Sequence, residues 1–531
     1  MNNIYNIDGL IPFQACAFHA FARCIAAVRR HCRSSCTPVS LLVKNLSVPP
    51  FLLTFAFMIG EELTYRVRLA LGVEPTAEQA AAIDTFVRFM TDAGERVVMA
   101  MRGAAGTGKT TLASAVVKAL TALGWKIRLL APTGRAAKVL SLYSGVRAGT
   151  IHRRIYRQKA LSSDMSGFRL SDNLYSDTLF IVDEASMIAD GGGGFGTGRL
   201  LDDLMEYVYG GRNCRLMFIG DRAQLPPVGE TESPALSASA LSTYGLKVYE
   251  ADLSEVLRQS AESGILYNAT VIRRMMTDSG NVSMPRVRFA GFADIVSVSG
   301  EELIETLATS YGEVGTDETM VVTRSNKRAN VYNKGIRSMV LGREEEMAAG
   351  DMVMIVKNKY LGETERREHG DIEFIANGDR ARVGKVRNVH EQHGFRFADV
   401  TLEFPDYDGM ELVCTVVLDS LHSEAPALTL EQSGRLFDAV MADYADIPRK
   451  ADRLKSLKTD KYYNAMQIKY AYAVTCHKAQ GGQWAHIYVD QGYMTDEMLT
   501  PDYIHWLYTA FTRATEKLFL VNWPKAQTEY V

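Results

Sequence analysis

Gly103-Ala-Ala-Gly-Thr-Gly-Lys109-Thr110-Thr111 matches the pattern G-x-x-x-x-G-K-[ST] at every fixed position. Residues 96–101 before it form an apolar run typical of a buried strand, and residues 112–120 after it carry apolar side chains at helical spacing. In such a unit the glycines let backbone N–H groups point at a phosphate chain, and the helix start adds a partial positive charge. The stretch therefore predicts a binding site for a nucleoside triphosphate.

The polar side chains of this loop have predicted tasks. Lys109 would reach the β- and γ-phosphates, and the Thr110 hydroxyl would ligate Mg²⁺. Upstream, Gln79 lies three residues after Thr76, so its amide either caps a helix or faces an adenine edge, and residue chemistry leaves both open. The residues predicted to surround the phosphates are Gly103, Ala104, Ala105, Gly106, Thr107, Gly108, Lys109, Thr110 and Thr111.

Length and composition describe an ordinary globular chain of several domains. Its 531 residues exceed what one core holds, and 47% hydrophobic with 23% charged residues is typical of globular proteins. The net charge of −3 gives no global basic field, although a channel can still be locally basic. No apolar run reaches the ~18 residues that a membrane span needs. Cys214, Cys414 and Cys476 are expected to be free thiols, which favours a cytoplasmic location.

Two adjacent carboxylates follow a second predicted buried strand. Residues 178–182 are apolar apart from the first, and Asp183 and Glu184 come directly after them. Beside a phosphate loop, the first carboxylate would hold Mg²⁺ through water and the second would polarise the attacking water. Gln224, after a further strand, could sense the γ-phosphate, and Arg258 offers a charge for it. An exposed acidic pair is the alternative for the carboxylates, and the apolar run before them argues against it.

Polar residues at the ends of other strands predict contacts to a phosphate backbone. Thr133, Thr150 and His152 follow predicted strands of the first unit, where the ends of parallel strands bind ligands. The neighbouring basic residues could equally form a solvated face, and this alternative stays open at this point.

A second α/β unit is predicted from residue 263. Short alternating strands interrupt it from about residue 346 and indicate a small antiparallel barrel, after which the parallel-sheet pattern returns near residue 460. Residues 1–57 differ from the rest and carry four of the seven cysteines, but no recognised zinc spacing. We hypothesise that Met58 is the natural initiator and that residues 1–57 are an upstream extension.

Ten motifs in order resemble superfamily 1 helicases, specifically the 5′→3′ RecD-like and Dda-like branch. The resemblance covers residues 75–531 and not the first 57. The motifs are Gln79, GAAGTGKT (103–110), APTGRAAK (131–138), TIH (150–152), IVDEAS (181–186), GDRAQLPPVG (220–229), LRQ (257–259), VTRSN (322–326), VTCHKAQGGQ (474–483) and YTAFTRA (508–514).

The resemblance implies an α/β fold with two RecA-like lobes that enclose ATP and Mg²⁺. Residues 58–262 would form lobe 1A, with a pin insertion at 155–177; residues 263–345 and 460–531 would form lobe 2A, and 346–459 an SH3-like accessory barrel. The implied catalytic residues are Lys109, Glu184, Gln224, Arg258 and Arg513, and the implied metal ligands are Thr110 and Asp183. The implied DNA contacts are Thr133, Arg135, Thr150, His152, Thr323, Asn326, Thr475 and His477.

The activity that this resemblance implies is 5′→3′ translocation on single-stranded DNA with unwinding of tailed duplexes, by a monomer. Two alternatives stay open: a DNA-stimulated translocase, and an ATP-gated clamp on single strands without strong unwinding. RNA also stays open as the substrate, because a preference for the 2′-hydroxyl leaves no mark in these residues.

Overall fold

Two parallel β-sheets and a closed barrel organise the chain in the computed structural model. The structure describes residues 50–158, 168–191, 199–256, 262–277, 284–361 and 374–529. The predicted fold class of two RecA-like lobes and a small barrel is confirmed. The predictions for Arg258, for the chain before residue 50 and for the centre of the pin lie outside the described residues.

The first lobe is a parallel sheet covered by helices on both faces. Its elements are α1 (Pro50–Leu71), α2 (Ala77–Thr91), β1 (Val97–Gly103), α3 (Lys109–Ala122), β2 (Lys126–Ala131), α4 (Gly134–Ser144), β3 (Ala148–Thr150), α5 (Ile151–Ile155), β4 (Tyr156–Gln158), β5 (Phe168–Leu170), β6 (Thr178–Val182), α6 (Leu200–Gly210), β7 (Arg215–Gly220), α7 (Ala238–Thr243) and β8 (Lys247–Leu253). The sheet has the order β3-β2-β6-β7-β1-β8. This order brings the carboxyl ends of β6, β7 and β1 together at one edge.

Packing explains why the strands of this sheet are almost uniformly apolar. In β1, Met99 and Met101 pack with α1, α2 and α3, whereas Val98 and Ala100 pack with α6 on the opposite face. A strand that is buried on both faces has no solvent side for polar residues.

The second lobe and the barrel share the remainder of the chain. Their elements are α8 (Gly264–Thr277), β9 (Val287–Arg288), β10 (Ile295–Val298), α9 (Leu303–Glu313), β11 (Thr319–Thr323), α10 (Asn326–Gly335), β12 (Met352–Ile355), β13 (Lys359–Tyr360), β14 (Phe374–Ile375), β15 (Arg380–Gln392), β16 (Phe395–Phe404), β17 (Met410–Val417), α11 (Asp419–His422), α12 (Leu430–Asp443), α13 (Lys450–Thr459), β18 (Met466–Tyr470), β19 (Ala473–Thr475), α14 (Cys476–Ala479), β20 (Trp484–Asp490), α15 (Pro501–Phe511), β21 (Ala514–Val521) and β22 (Thr528–Glu529). The second sheet has the order β10-β21-β20-β11-β19, and the barrel is closed by β12-β15-β16-β17-β18.

The barrel extends further along the chain than the sequence indicated. Its fifth strand is β18, which pairs with β12 and β17, although residues from 460 onward were assigned to lobe 2A. Residues 468–475 contain no turn signal, so no local pattern marks that the barrel ends at Tyr470 and that the second sheet resumes at Ala473.

The described part of the pin is a short antiparallel pair. Strands β4 and β5 are paired from Tyr156 opposite Leu170 to Gln158 opposite Phe168, and residues 159–167 lie outside the described residues. No described helix combines the length and apolar character that a bilayer crossing needs.

Candidate nucleotide and nucleic-acid site

The phosphate loop turns tightly between β1 and α3. Gly106 and Gly108 have φ of 77° and 79°, a left-handed backbone that favours glycine. Gly108 caps α3 without any side-chain hydrogen bond, so the helix start has no competing internal acceptor there. Lys109 Nζ donates to Ala104 O at 2.9 Å, which folds the lysine back over the loop. The loop thus presents backbone donors and one ammonium group at the edge of the sheet.

The two predicted carboxylates lie at the end of β6, at this same edge. Glu184 is held at φ 51°, an uncommon backbone for a residue with a side chain, and its N–H donates to Asp183 Oδ1 at 2.8 Å. Burial and the adjacent Glu184 raise the pKa of Asp183 to about 7, while Lys109 opposes that shift. A divalent cation would offset this unfavourable burial of charge, so the donor set fits Mg²⁺ held by Asp183 and Thr110.

The loop after β7 contributes the third part of the site. Asp221 is buried, and its Oδ1 accepts from Ala223 N at 2.9 Å. Gln224 is also buried, and no donor among the described residues reaches its Oε1. A buried amide oxygen without a donor is unfavourable unless a ligand or water satisfies it. This geometry fits the predicted contact of Gln224 with the reacting groups of a nucleotide.

Arg513 brings the second lobe to this site. Its side chain is only 2% exposed, and Nη1 lies 4.0 Å from Glu184 Oε1 of the first lobe. The guanidinium is fixed by donation to Gly482 O and Thr509 O, each at 3.1 Å. The cleft between the lobes therefore has a carboxylate on one side and a fixed arginine on the other.

Helix α15, which leads to Arg513, also contacts the loop after β7. Thr509 Oγ1 accepts from Leu225 N at 2.7 Å, and His505 Nδ1 lies 2.9 Å from Ala223 O. Tyr508 Oη donates to Asp221 Oδ2 at 2.6 Å. Sequence reasoning assigned these three helix residues no role, because the pattern of a helix does not show which loop of the other lobe it contacts.

Gln79 makes the capping contact that sequence reasoning weighed, and it also reaches the phosphate loop. It forms a capping box with Thr76, whose N–H donates to Gln79 Oε1 at 3.1 Å. Its Nε2 donates to Thr107 O at 3.2 Å, so the amide also borders the phosphate loop. The proposed contact with adenine would require the amide to leave these partners, and it stays a prediction.

The predicted nucleic-acid contacts of the first lobe have partners within the protein. Thr133 and Thr150 cap α4 and α5, accepting from Ala136 N at 3.2 Å and from Arg153 N at 3.3 Å. Arg135 donates to Gln483 O, lies 3.5 Å from Glu318 Oε1, and stacks 4.5 Å from the ring centre of Trp484. Burial lowers the pKa of His152 to about 4, so this imidazole is neutral at pH 7.

In the second lobe, one predicted contact residue is buried and three lie near a pocket. Thr323 is fully buried and donates to Ser325 O at 3.1 Å, so we leave it out of the proposed contact surface. Asn326, the first residue of α10, and Thr475 line a pocket at the end of β19, and His477 is exposed beside it. The pocket residues are Asn326, Ala329, Asn330, Asn333, Met354, Lys469, Tyr470, Ala473, Val474, Thr475 and Lys478.

Two lysines that sequence reasoning missed give this pocket its charge. Burial lowers the pKa of Lys469 to about 8, and burial with repulsion from Lys469 lowers that of Lys478 to about 8. Two ammonium groups in one amide-lined pocket favour an anion, such as a backbone phosphate.

Known proteins resemble both halves of the chain. The AAA domain family matches residues 74–278, and the UvrD-like helicase C-terminal domain family matches residues 470–521. The ATP-dependent RecD2 DNA helicase of Deinococcus radiodurans is 25% identical over 457 residues, which are 83% of this chain and 48% of that protein. The ATP-dependent DNA helicase dda of Enterobacteria phage T4 is 25% identical over 322 residues, which are 57% of this chain and 68% of that protein. A crystal structure of Pif1 helicase from Bacteroides in complex with ADP-AlF3 and ssDNA has a TM-score of 0.44 and 16% identity, covering 86% of this chain and 95% of that one.

The two sheets and the phosphate loop between them define a P-loop protein with two RecA-like lobes. Within that class, its sequence is similar to those of the RecD2 and dda DNA helicases. It spans about half the length of the RecD2 relative.

Proposed function

We propose that this chain is an ATP-dependent DNA helicase that moves 5′→3′ on single-stranded DNA and unwinds tailed duplexes. The observation that carries the proposal is the cleft in which Arg513 of the second lobe lies 4.0 Å from Glu184 of the first, beside the phosphate loop. A site divided between two lobes couples nucleotide turnover to lobe motion, which a single-lobed ATPase cannot do. The two relatives with DNA helicase names support DNA as the track.

The proposed catalytic roles are assigned from the positions of the side chains. Lys109 turns from Ala104 O to the phosphates and neutralises their charge. Glu184 orients the attacking water and takes its proton, while Gln224 Oε1 accepts a hydrogen bond from the same water and its amide N–H donates to the γ-phosphate. Arg513 stabilises the negative charge that develops on the γ-phosphate. Mg²⁺, held by Thr110 and Asp183, supplies charge neutralisation at the phosphates when it is bound.

Hydrolysis is proposed to loosen the contact between the lobes. ATP connects Lys109 on one side of the cleft to Arg513 on the other, and loss of the γ-phosphate removes that connection. Asn326, Thr475 and His477 of the second lobe grip the DNA backbone, and Thr133 and Thr150 of the first lobe grip it in alternation. The grip on phosphates rather than bases implies little sequence preference and a strong dependence on salt.

The deciding experiment measures ATP hydrolysis with and without single-stranded DNA, then unwinding of 5′-tailed and 3′-tailed duplexes. We expect strong stimulation by DNA and unwinding from the 5′ tail only, with E184Q binding nucleotide but not hydrolysing it. Stimulation without unwinding would support the translocase or clamp, and stimulation by RNA alone would change the substrate. No response to either nucleic acid would refute the proposal. The same proposal includes a monomeric, cytoplasmic enzyme. Sedimentation velocity of the DNA-bound chain tests whether it is a monomer.

A further inference from the structure

A tyrosine of the second lobe makes a hydrogen bond inside the phosphate loop of the first. Tyr508 Oη accepts from the backbone N–H of Ala105 at 2.9 Å, across 403 residues of sequence. The same oxygen donates its hydrogen to Asp221 Oδ2 at 2.6 Å. Both side chains are buried, with Tyr508 only 1% exposed and Asp221 3% exposed. The contact is therefore not a loose surface encounter.

The orientation of this hydroxyl determines whether it offers the phosphate loop a hydrogen-bond donor or an acceptor. The phenol has one hydroxyl hydrogen, which it donates to Asp221, so only the lone pairs of the oxygen face Ala105. Burial and the neighbouring Asp221 raise the pKa of Tyr508 well above its usual range, so the hydroxyl keeps its hydrogen. Tyr508 thus offers the phosphate loop a hydrogen-bond acceptor, which is also what a phosphate oxygen offers. Two acceptors cannot share the Ala105 N–H at close range without repulsion.

The helix that carries Tyr508 links this contact to Arg513 of the second lobe. Thr509 on the same face of α15 binds Leu225 N, and Arg513 at the end of the helix lies 4.0 Å from Glu184. Release of Tyr508 from the loop removes one of the bonds that hold α15 against the first lobe. The change is passed along a rigid helix to Arg513.

We propose that Tyr508 is a positioning residue that holds the Ala105 N–H and yields it to a phosphate when nucleotide binds, so that occupancy of the loop is transmitted through α15 to Arg513. This inference rests on the proposed nucleotide site and goes beyond it, because it assigns a competitor within the protein for one of the loop's phosphate donors. When nucleotide binds, a phosphate oxygen then replaces Tyr508 Oη as the acceptor for the Ala105 N–H.

The test is the nucleotide affinity of Y508F. Without the hydroxyl the competitor is gone, so ADP and a non-hydrolysable ATP analogue should bind about 2- to 12-fold more tightly, the range that one net hydrogen bond corresponds to. A merely structural tyrosine would leave affinity unchanged or weaken it when lost. Turnover should fall while binding tightens, because α15 no longer senses the loop. Calorimetry gives the affinities, and steady-state hydrolysis gives kcat and KM separately.

The matched control is T509V. It removes the acceptor for Leu225 N and so loosens the same helix from the same loop, but it does not touch the phosphate loop. We expect T509V not to tighten nucleotide binding. Equal tightening in both variants would show that a looser lobe contact is the cause and would overturn the inference, as would unchanged or weaker binding in Y508F.

A measurement on the unmodified chain covers the case in which Y508F does not fold. Hydrogen exchange of residues 501–511 should change when ADP binds, since release of Tyr508 loosens α15. Unchanged exchange with ADP bound would refute the inference. Absence of any ADP binding to the unmodified chain would instead refute the proposed nucleotide site, which keeps the two failures distinct.

Discussion

Replacing Arg513 by alanine should nearly abolish ATP hydrolysis while leaving nucleotide bound. The guanidinium is only 2% exposed, and its Nη1 lies 4.0 Å from Glu184 Oε1, the group proposed to orient the attacking water. A unit charge at about 4 Å contributes about 4 kcal/mol at an effective dielectric constant of about 20. If that stabilisation arises only in the transition state, R513A should lower kcat about 1,000-fold.

The lysine variant separates charge from geometry at the same position. R513K keeps a positive charge but cannot make the two donations, to Gly482 O and Thr509 O, that fix the guanidinium. A flexible ammonium group is not held opposite Glu184, so we expect a kcat between those of R513A and the unmodified chain.

The assay is steady-state hydrolysis at saturating ATP and saturating single-stranded DNA. ADP affinity and the thermal unfolding midpoint of R513A are measured alongside it, because a buried arginine also supports local packing. The expected result is a large loss of rate with ADP affinity changed by less than about threefold. If folded R513A keeps more than a tenth of the rate, the arginine does not act on the reacting phosphate and the cleft has been misassigned.

Two further predictions concern lobe closure and the DNA grip. A Cβ at Gly481 (φ +71°) would lie 2.9 Å from Thr133 Oγ1 of the other lobe, whereas one at Gly492 (φ +69°) would meet nothing within 4 Å. Both alanine variants carry similar backbone strain, about 1 kcal/mol. They differ in the contact with Thr133, so only G481A should lower DNA-stimulated kcat. An equal loss of kcat in G492A would exclude a specific effect on lobe closure. Because the pKa of Lys469 and of Lys478 is about 8 and phosphate binding favours the charged form, DNA affinity should fall as pH rises from 7 to 9. The double variant K469M/K478M should lose that pH dependence and reduce the salt slope of binding, measured by fluorescence anisotropy; an unchanged slope would remove these lysines from the grip.

The phosphate loop and the paired carboxylates were predictable because their signals are local. A buried strand followed at once by Gly103 or by Asp183 encodes both the element and the side chain that it delivers. Parallel strands then bring those ends to one edge without any further information. The sequence was therefore sufficient to predict that the phosphate loop and the paired carboxylates lie at strand ends of the first sheet.

Residues that serve two purposes were harder to assign. Thr133 and Thr150 each follow a strand, which predicted phosphate contacts, but both cap the helices that come next. The hydroxyl group that suits a phosphate also suits a helix start, so residue type and position do not separate the two uses. Thr323 has the same local pattern and is fully buried, a property set by neighbours distant in the chain.

Contacts between the lobes had no local signal at all. Tyr508 and Asp221 are 287 positions apart, and each lies in a segment whose own pattern is fully explained by its helix or strand. Only the fold shows that Tyr508 and Thr509 of α15 meet the loop after β7. Strand β7 pairs with β1, the strand that leads into the phosphate loop. Since the same helix ends next to Arg513, we propose that a shift of the loop also shifts the arginine. On this proposal, a single rigid helix connects phosphate binding in one lobe with catalysis by the other, without a longer chain of intermediates.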